Sequence, residues 1–373
     1  MKNISTLRRL FALACGVSSG GAFAQSSVTL YGVLDTFVGY QSAQVGGKST
    51  QLVTLANNGE MTSRWGLRGV EDLGSGYSVR FDLENGFDPS TGTEQNSFRL
   101  FDRQAWVGLA GNFGEVRFGR QNTPMFVYGT VLDAFGSATY GSGYNDFANW
   151  LSRVDNDISY ISPKIANTQI ELHYSAGDVP GALAGNAVYQ AAMQSQQGPL
   201  YLAGAYLNAA NATNSHRVQE IMAGASYDYG QGKVYLAWFR ANEVISATTG
   251  NALANPAGKY DPSVGPVGNV PGNYHSTFSV SADYLITPAL SAGAAYAYIK
   301  DDSSLGNNAE QIGAIVNYSL SKRTQLYAVA SSLKNFRSAQ FRMAGASITL
   351  GSLLTPDSGH NELGAQIGIR HQF

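Results

Sequence analysis

The 373-residue chain has one cysteine, Cys15, only 13% charged residues, and five histidines with no paired spacing. Each shortage excludes something. A lone cysteine within the first 24 residues removes disulfides and thiol chemistry from everything after them. No later stretch approaches the roughly 20 apolar residues that a membrane-spanning helix needs. Nucleic acid is excluded as a partner as well, because phosphate binding needs a basic surface and 24 Lys+Arg stand against 26 Asp+Glu. His173, His216, His275, His360 and His371 show no metal-ligand spacing, and no nucleophile elbow accompanies them. No cofactor, metal or enzymatic activity is therefore expected. A barrel lipase or protease is the alternative, with His173, beside Glu171 on one strand face, as its candidate base.

What is present points to export. Lys2, Arg8 and Arg9 form a basic n-region, Leu10 to Val17 an apolar segment, and Ala22-Phe23-Ala24 a small-x-small cleavage site before Gln25. Residues 1–24 thus read as a secretory signal peptide and 25–373 as the mature domain. Lipoprotein cleavage at Cys15 would leave a very short apolar region and put Ala12 where a bulky aliphatic is wanted. Removing the signal takes away three positive charges and no negative ones, so 21 basic residues face 26 acidic ones and the net charge moves from −2 to −5.

With 43 Gly and 21 Tyr, the chain is aromatic-rich and charge-poor without being hydrophobic overall. A barrel with one apolar and one wet face averages to this profile. An exported chain that crosses a membrane without helices must close a barrel, since hydrocarbon offers an open sheet edge no partner. The sequence divides accordingly into alternating segments. In Tyr77 to Glu84, Tyr77, Val79, Phe81 and Leu83 oppose Ser78, Arg80, Asp82 and Glu84, apolar out and charged in. "VTLYGVLDTFVGY" (Val28 to Tyr40) reads as the first strand, followed by a polar stretch to Glu60. Short turns such as "AGNFG", "GQG" and "SKR" alternate with long interruptions, the earliest large one being Asn122 to Ser152, and Asn251 to Asn273 reads as an exposed loop. The count is about sixteen strands, with both termini on the short-turn side. "AQFRMAGASITLG", Ala339 to Gly351, is read as part of a long loop carrying at most a short hairpin. The fold class expected is all-β, a transmembrane antiparallel up-and-down β-barrel. An energy-coupled receptor would need a plug domain, and only Gln25 to Ser27 precede the first strand.

"SSVTLYGVLDT", "SRWGLRGVEDLGSGY", "GLAGNFGEVRFGRQ", "YSLSKRTQLYA" and the terminal "IGIRHQF" resemble, in order and over nearly the whole mature chain, the general trimeric porins of Gram-negative outer membranes. The resemblance implies a sixteen-stranded homotrimer with its third long loop folded into the lumen. On the same resemblance it would sit in the outer membrane among lipid and lipopolysaccharide and pass small hydrophilic solutes and ions. It also implies that the terminal Phe373 is read by the barrel assembly machinery.

Arg64, Arg68, Arg80 and Arg117 fall on the lumen face by parity, and Arg64 stands where the family's "SRxGLRG" places a pore arginine. Arg103 shares parity with the outward Ala105, Val107 and Leu109, so either a bulge turns it inward or it is a rim residue. Any one of them could simply pair with Asp82 or Glu84. The acidic partners expected across the passage are Asp133 and Asp146 on the Asn122–Ser152 segment, whose "LDAFG" lies where the family's constriction loop is acidic. That segment either narrows the lumen or covers a subunit contact. Loop-mediated adhesion would be compatible with a pore.

Overall fold

The computed structural model describes residues 26–373 except 97–98, 137, 149, 212, 216, 243–273, 303–304 and 344–352. Residues 1–24, expected as a signal peptide, residues 251–273, expected as a loop, and most of the 339–351 stretch lie outside the described residues. Seventeen strand segments form one sheet: β1 (Ser27–Val45), β2 (Lys48–Asn57), β3 (Arg64–Gly74), β4 (Tyr77–Gly86), β5 (Gln104–Gly111), β6 (Gly114–Asn122), β7 (Arg153–Ile161), β8 (Thr168–Ser175), β9 (Val188–Gln197), β10 (Leu200–Ala210), β11 (Arg217–Asp228), β12 (Lys233–Ala241), β13 (His275–Thr287), β14 (Leu290–Asp301), β15 (Ala309–Ser319), β16 (Thr324–Asn335) and β17 (Glu362–Gln372).

All pairings are antiparallel, and β17 closes on β1 from Val33↔Gln372 to Ala43↔Glu362. β2 and β3 share one edge of β1: Thr36–Val45 pairs with β2, and Ser27–Val33 with β3. They act as one interrupted strand, so the closed barrel has sixteen strand positions.

Closure is what lipid demands, and the outer face supplies the apolar band, with Val38, Val53, Leu236, Ile312 and Ile367 all exposed on it. At the seam, Phe373 N–H donates to the Gly32 carbonyl and Gly32 N–H to that of Phe373, both at 3.1 Å. The phenyl ring lies where a Cβ on Gly32 would sit, 2.2 Å away, so only glycine admits it.

One segment differs from the sequence reading. The polar stretch after Tyr40 is not a loop: β1 continues to Val45, turns at Gly46 and Gly47 (φ 60° and 74°), and returns as β2. Two consecutive positive-φ residues are what a tight hairpin turn with the strands' own twist requires. Polar residues on this hairpin hid the alternation. Between β2 and β3 the chain folds inward around the Asp35 carboxylate, which accepts from Glu60 N and Met61 N at 2.7 Å and from Tyr327 Oη at 2.6 Å. The described part of the 339–351 stretch is not a strand: Phe341 is buried against Phe147, ring centroids 5.3 Å apart.

The third long loop lies inside the barrel. It carries α1 (Pro124–Thr130), capped by the Thr123 hydroxyl accepting from Phe126 N, and α2 (Gly143–Phe147). Two apolar clusters fix it to the wall. One joins Met125, Tyr128, Leu132 and Trp150 to Leu207, Met222 and Phe239; the other joins Phe135, Tyr140 and Phe147 to Ile299, Ile315 and Tyr327. Burying side chains of this size contributes about 1.5–3 kcal/mol each. The wall makes room with small inward residues: Ala203, Ala205, Gly224, Ala237, Ala295, Ala297 and Gly313. A Cβ on Gly224 would lie 2.4 Å from Leu132, and one on Gly313 2.3 Å from the Gly141 carbonyl.

Candidate pore constriction

The loop's polar anchors run around the inside of one half of the barrel. Tyr128 Oη donates to Glu171 on β8 at 2.8 Å, Leu151 N to Glu220 on β11 at 3.2 Å, and Ala134 N to Ser281 on β13 at 3.0 Å. Gln311 on β15 donates to the Tyr140 carbonyl at 2.7 Å, and Tyr140 N donates to Gln366 on β17 at 2.9 Å. None of these anchors falls on β3–β6, and along the inner face from β3 to β7 the arginines collect.

Arg64 and Arg103 both grip Glu84, at 3.1 and 2.6 Å. Arg103, its side chain 5% exposed, precedes β5 and donates its backbone N–H to the Glu84 carbonyl. This irregular start turns it inward against its parity. Below them, Tyr31 Oη donates to Asp82 at 2.7 Å while Arg68 lies over the Tyr31 ring at 5.0 Å. Arg80 and Arg117 share Glu115, at 3.2 and 2.8 Å, and Arg117 also lies 4.2 Å from the Trp106 ring centroid.

Three further arginines were not singled out by pattern. Arg99 and Arg120 hold Asp155 at 2.7 and 2.6 Å, and Arg153 lies over the Phe126 ring at 5.1 Å. Arg120 has outward parity, but the β6–β7 register shifts between Gly119 and Gln121, and that bulge redirects it. Repulsion between Arg103 and Arg64, and of Arg153 by Arg103 and Arg120, marks them as one cluster. Eight arginines stand here against six carboxylates, Asp82, Glu84, Asp102, Glu115, Asp155 and Asp157, so guanidinium is in excess by two.

The loop's two acidic residues lie elsewhere. Asp133 is buried, accepts from the Ser142 hydroxyl at 2.6 Å and is turned toward Tyr144 and Tyr235. Asp146 interacts with Arg342 and Glu362 on the β17 side. The structure therefore does not bring either of them against Arg64, Arg80 or Arg117, whose carboxylate partners come from the wall itself. His173 sits between Asp157, 2.7 Å from Nδ1, and Glu171, 3.5 Å from Nε2. The nearby Ser175 hydroxyl donates to Asp157 rather than to the imidazole.

A family model described as Gram-negative porin matches residues 10–337. The chain belongs to the Gram-negative porin family. Outer membrane porin protein 32 of Delftia acidovorans is 30% identical over 98% of this chain and 99% of its own length. An outer membrane porin protein of Bordetella pertussis is likewise 30% identical, over 97% of this chain and 98% of its own. Among solved structures, an anion-selective porin from Comamonas acidovorans has a TM-score of 0.75 at 26% identity, covering 94% of this chain and all of that one. As a porin, the protein is a multi-pass outer-membrane channel.

Proposed function

We propose that this porin passes small hydrophilic solutes by passive diffusion, favours anions, and works as a homotrimer delivered by a signal peptide spanning residues 1–24. The observation that carries the anion preference is the excess of guanidinium over carboxylate along the inner wall from β3 to β7. Low-dielectric walls focus that local field, so it outweighs the mature chain's net −5 spread over the whole surface. The anion selectivity of the Comamonas relative supports the same direction. Asp133 and Asp146 act in this reading by holding the loop rather than by facing the arginines.

The direct test is the zero-current potential of single channels in a potassium chloride gradient. Chloride should carry most of the current; a potassium preference would sink the proposal. Phe373, locked against Gly32 at the seam, is proposed as the assembly signal. Deleting it should lower the yield of heat-modifiable trimer in outer-membrane fractions, and an undiminished yield would rule that role out.

A further inference from the structure

Two side chains on this wall are out of keeping with a simple charged lining. Trp106 and Tyr31 are aromatic residues on the lumen face, each only partly buried, and each is covered by a guanidinium: Arg117 at 4.2 Å from Trp106 and Arg68 at 5.0 Å from Tyr31. Register puts them side by side, because Arg68 pairs with Asp82 and Asp82 with Trp106. Two strand spacings separate the stacks, about 10 Å.

The stacks are built. Gly66 lets the Tyr31 ring lie on the wall, where a Cβ would meet the ring at 2.7 Å; Gly108 does the same for the Arg117 stem, at 3.0 Å from Cγ. Trp106 Nε1 donates to Gln104 at 3.0 Å, and Arg117 is held by two contacts to Glu115, at 2.8 and 3.2 Å. Arg117 lies over the ring with its side chain 26% exposed, so part of the guanidinium stays open. A planar π-system stacks on a guanidinium, whereas a saturated ring of equal size cannot. Beside it, Arg80 is 46% exposed and spends one contact on the shared Glu115, leaving donors for a carboxylate.

From this geometry we infer a solute site for planar aromatic carboxylates on the periplasmic side of the Arg64–Arg103 cluster, with the ring on Arg117 over Trp106 and the carboxylate on Arg80. The inference rests on the anion-channel reading and adds a shape preference that charge alone does not supply. Trp106 acts here by backing Arg117.

Benzoate and cyclohexanecarboxylate carry the same charge on rings of similar size, and only the first is planar. Added to single channels in potassium chloride, benzoate should halve the chloride current at a concentration about threefold lower, the factor expected of one exposed cation–π contact. Trp106→Leu, which removes the backing ring, and Arg117→Lys, which keeps the charge but not the plane, should each erase the difference. If Trp106→Leu yields no folded channel, Arg117→Lys decides. Equal block of the wild type by the two acids, or a difference that survives Arg117→Lys, would overturn the site. The zero-current potential is recorded on the same channels: chloride preference with equal block defeats the aromatic site alone, and potassium preference defeats the anion reading beneath it as well.

Discussion

The two halves of the barrel interior use opposite residue types on the same strand geometry. On β3–β7 the inward positions hold long charged side chains that pair along and between strands; on β10–β15 alanines and glycines are interspersed with hydroxyl and apolar side chains. The first half stays polar because each carboxylate is shared: Glu84 by Arg64 and Arg103, Glu115 by Arg80 and Arg117, Asp155 by Arg99 and Arg120. The second half is dry because the loop's aromatics fill what the small residues leave open. A channel's charge pattern can thus be asymmetric without asymmetry in the barrel, since the loop is anchored on one half and the arginines line the other.

The comparison breaks most severely if the dry half loses its seat. Gly313→Val would push its side chain into the Gly141 backbone, already only 2.3 Å from an added Cβ. Overpacking of this kind costs about 1–3 kcal/mol, and here the loop can yield where the barrel cannot. The expected outcome is a folded barrel with markedly higher single-channel conductance. Unchanged conductance would mean that Gly313 does not set the loop's position.

The polar half is probed by charge reversal. Arg64→Glu puts a carboxylate beside Glu84 and should move the zero-current potential toward cations by a large part of the wild-type value. Arg337→Glu is the control. Arg337 lies in an outer loop, exposed, with one Nη donating to the Leu305 carbonyl at 3.0 Å. Screening over a Debye length of about 8 Å should make its effect small. Equal shifts from the two would show that net charge, rather than the wall, governs selectivity.

Strand parity alone sufficed for part of this arrangement. Arg64, Arg68, Arg80 and Arg117 lie on the inward face because period-two alternation survives wherever the ladder is regular. Arg103 and Arg120 defeat parity for the same reason as each other: an irregular strand start and a bulge insert a residue and flip the face, and neither leaves a mark in the hydrophobic pattern. Asp133 shows a different limit. The loop has no period, so its carboxylate's direction is decided by which wall the flanking aromatics bury against. The small inward residues Ala203, Ala205, Gly224, Ala237, Ala295, Ala297 and Gly313 were a readable signal for that wall, since at those positions the strands have nothing of their own to fill the lumen. The β2 hairpin was hidden because polar residues fall on both its faces, so composition mimicked a loop.

The smallest expected effect lies outside the membrane, where the two halves meet. Asp357, on the loop between β16 and β17, accepts from Gly46 N and Gly47 N at 2.8 Å each, tying that loop to the β1–β2 turn. The N–H groups of Gly47 and Gly46 favour the ionised form and hold the Asp357 carboxyl below its ordinary range. A group depressed in the folded state contributes in full above its unfolded value, near 3.9 for Asp, and loses that contribution as the pH falls through the lowered folded value. The latch should therefore be intact at neutral pH and open only under strong acid. Amide exchange at Gly46 and Gly47 should rise a few-fold once the pH passes below the ordinary Asp range. Asp357→Asn should flatten that dependence, because an amide still accepts a hydrogen bond but no longer titrates. Conductance should barely respond to either change, since neither the arginine wall nor the buried loop is touched. A rise in exchange that begins near neutral pH, or one that persists in Asp357→Asn, would assign the tether to another group.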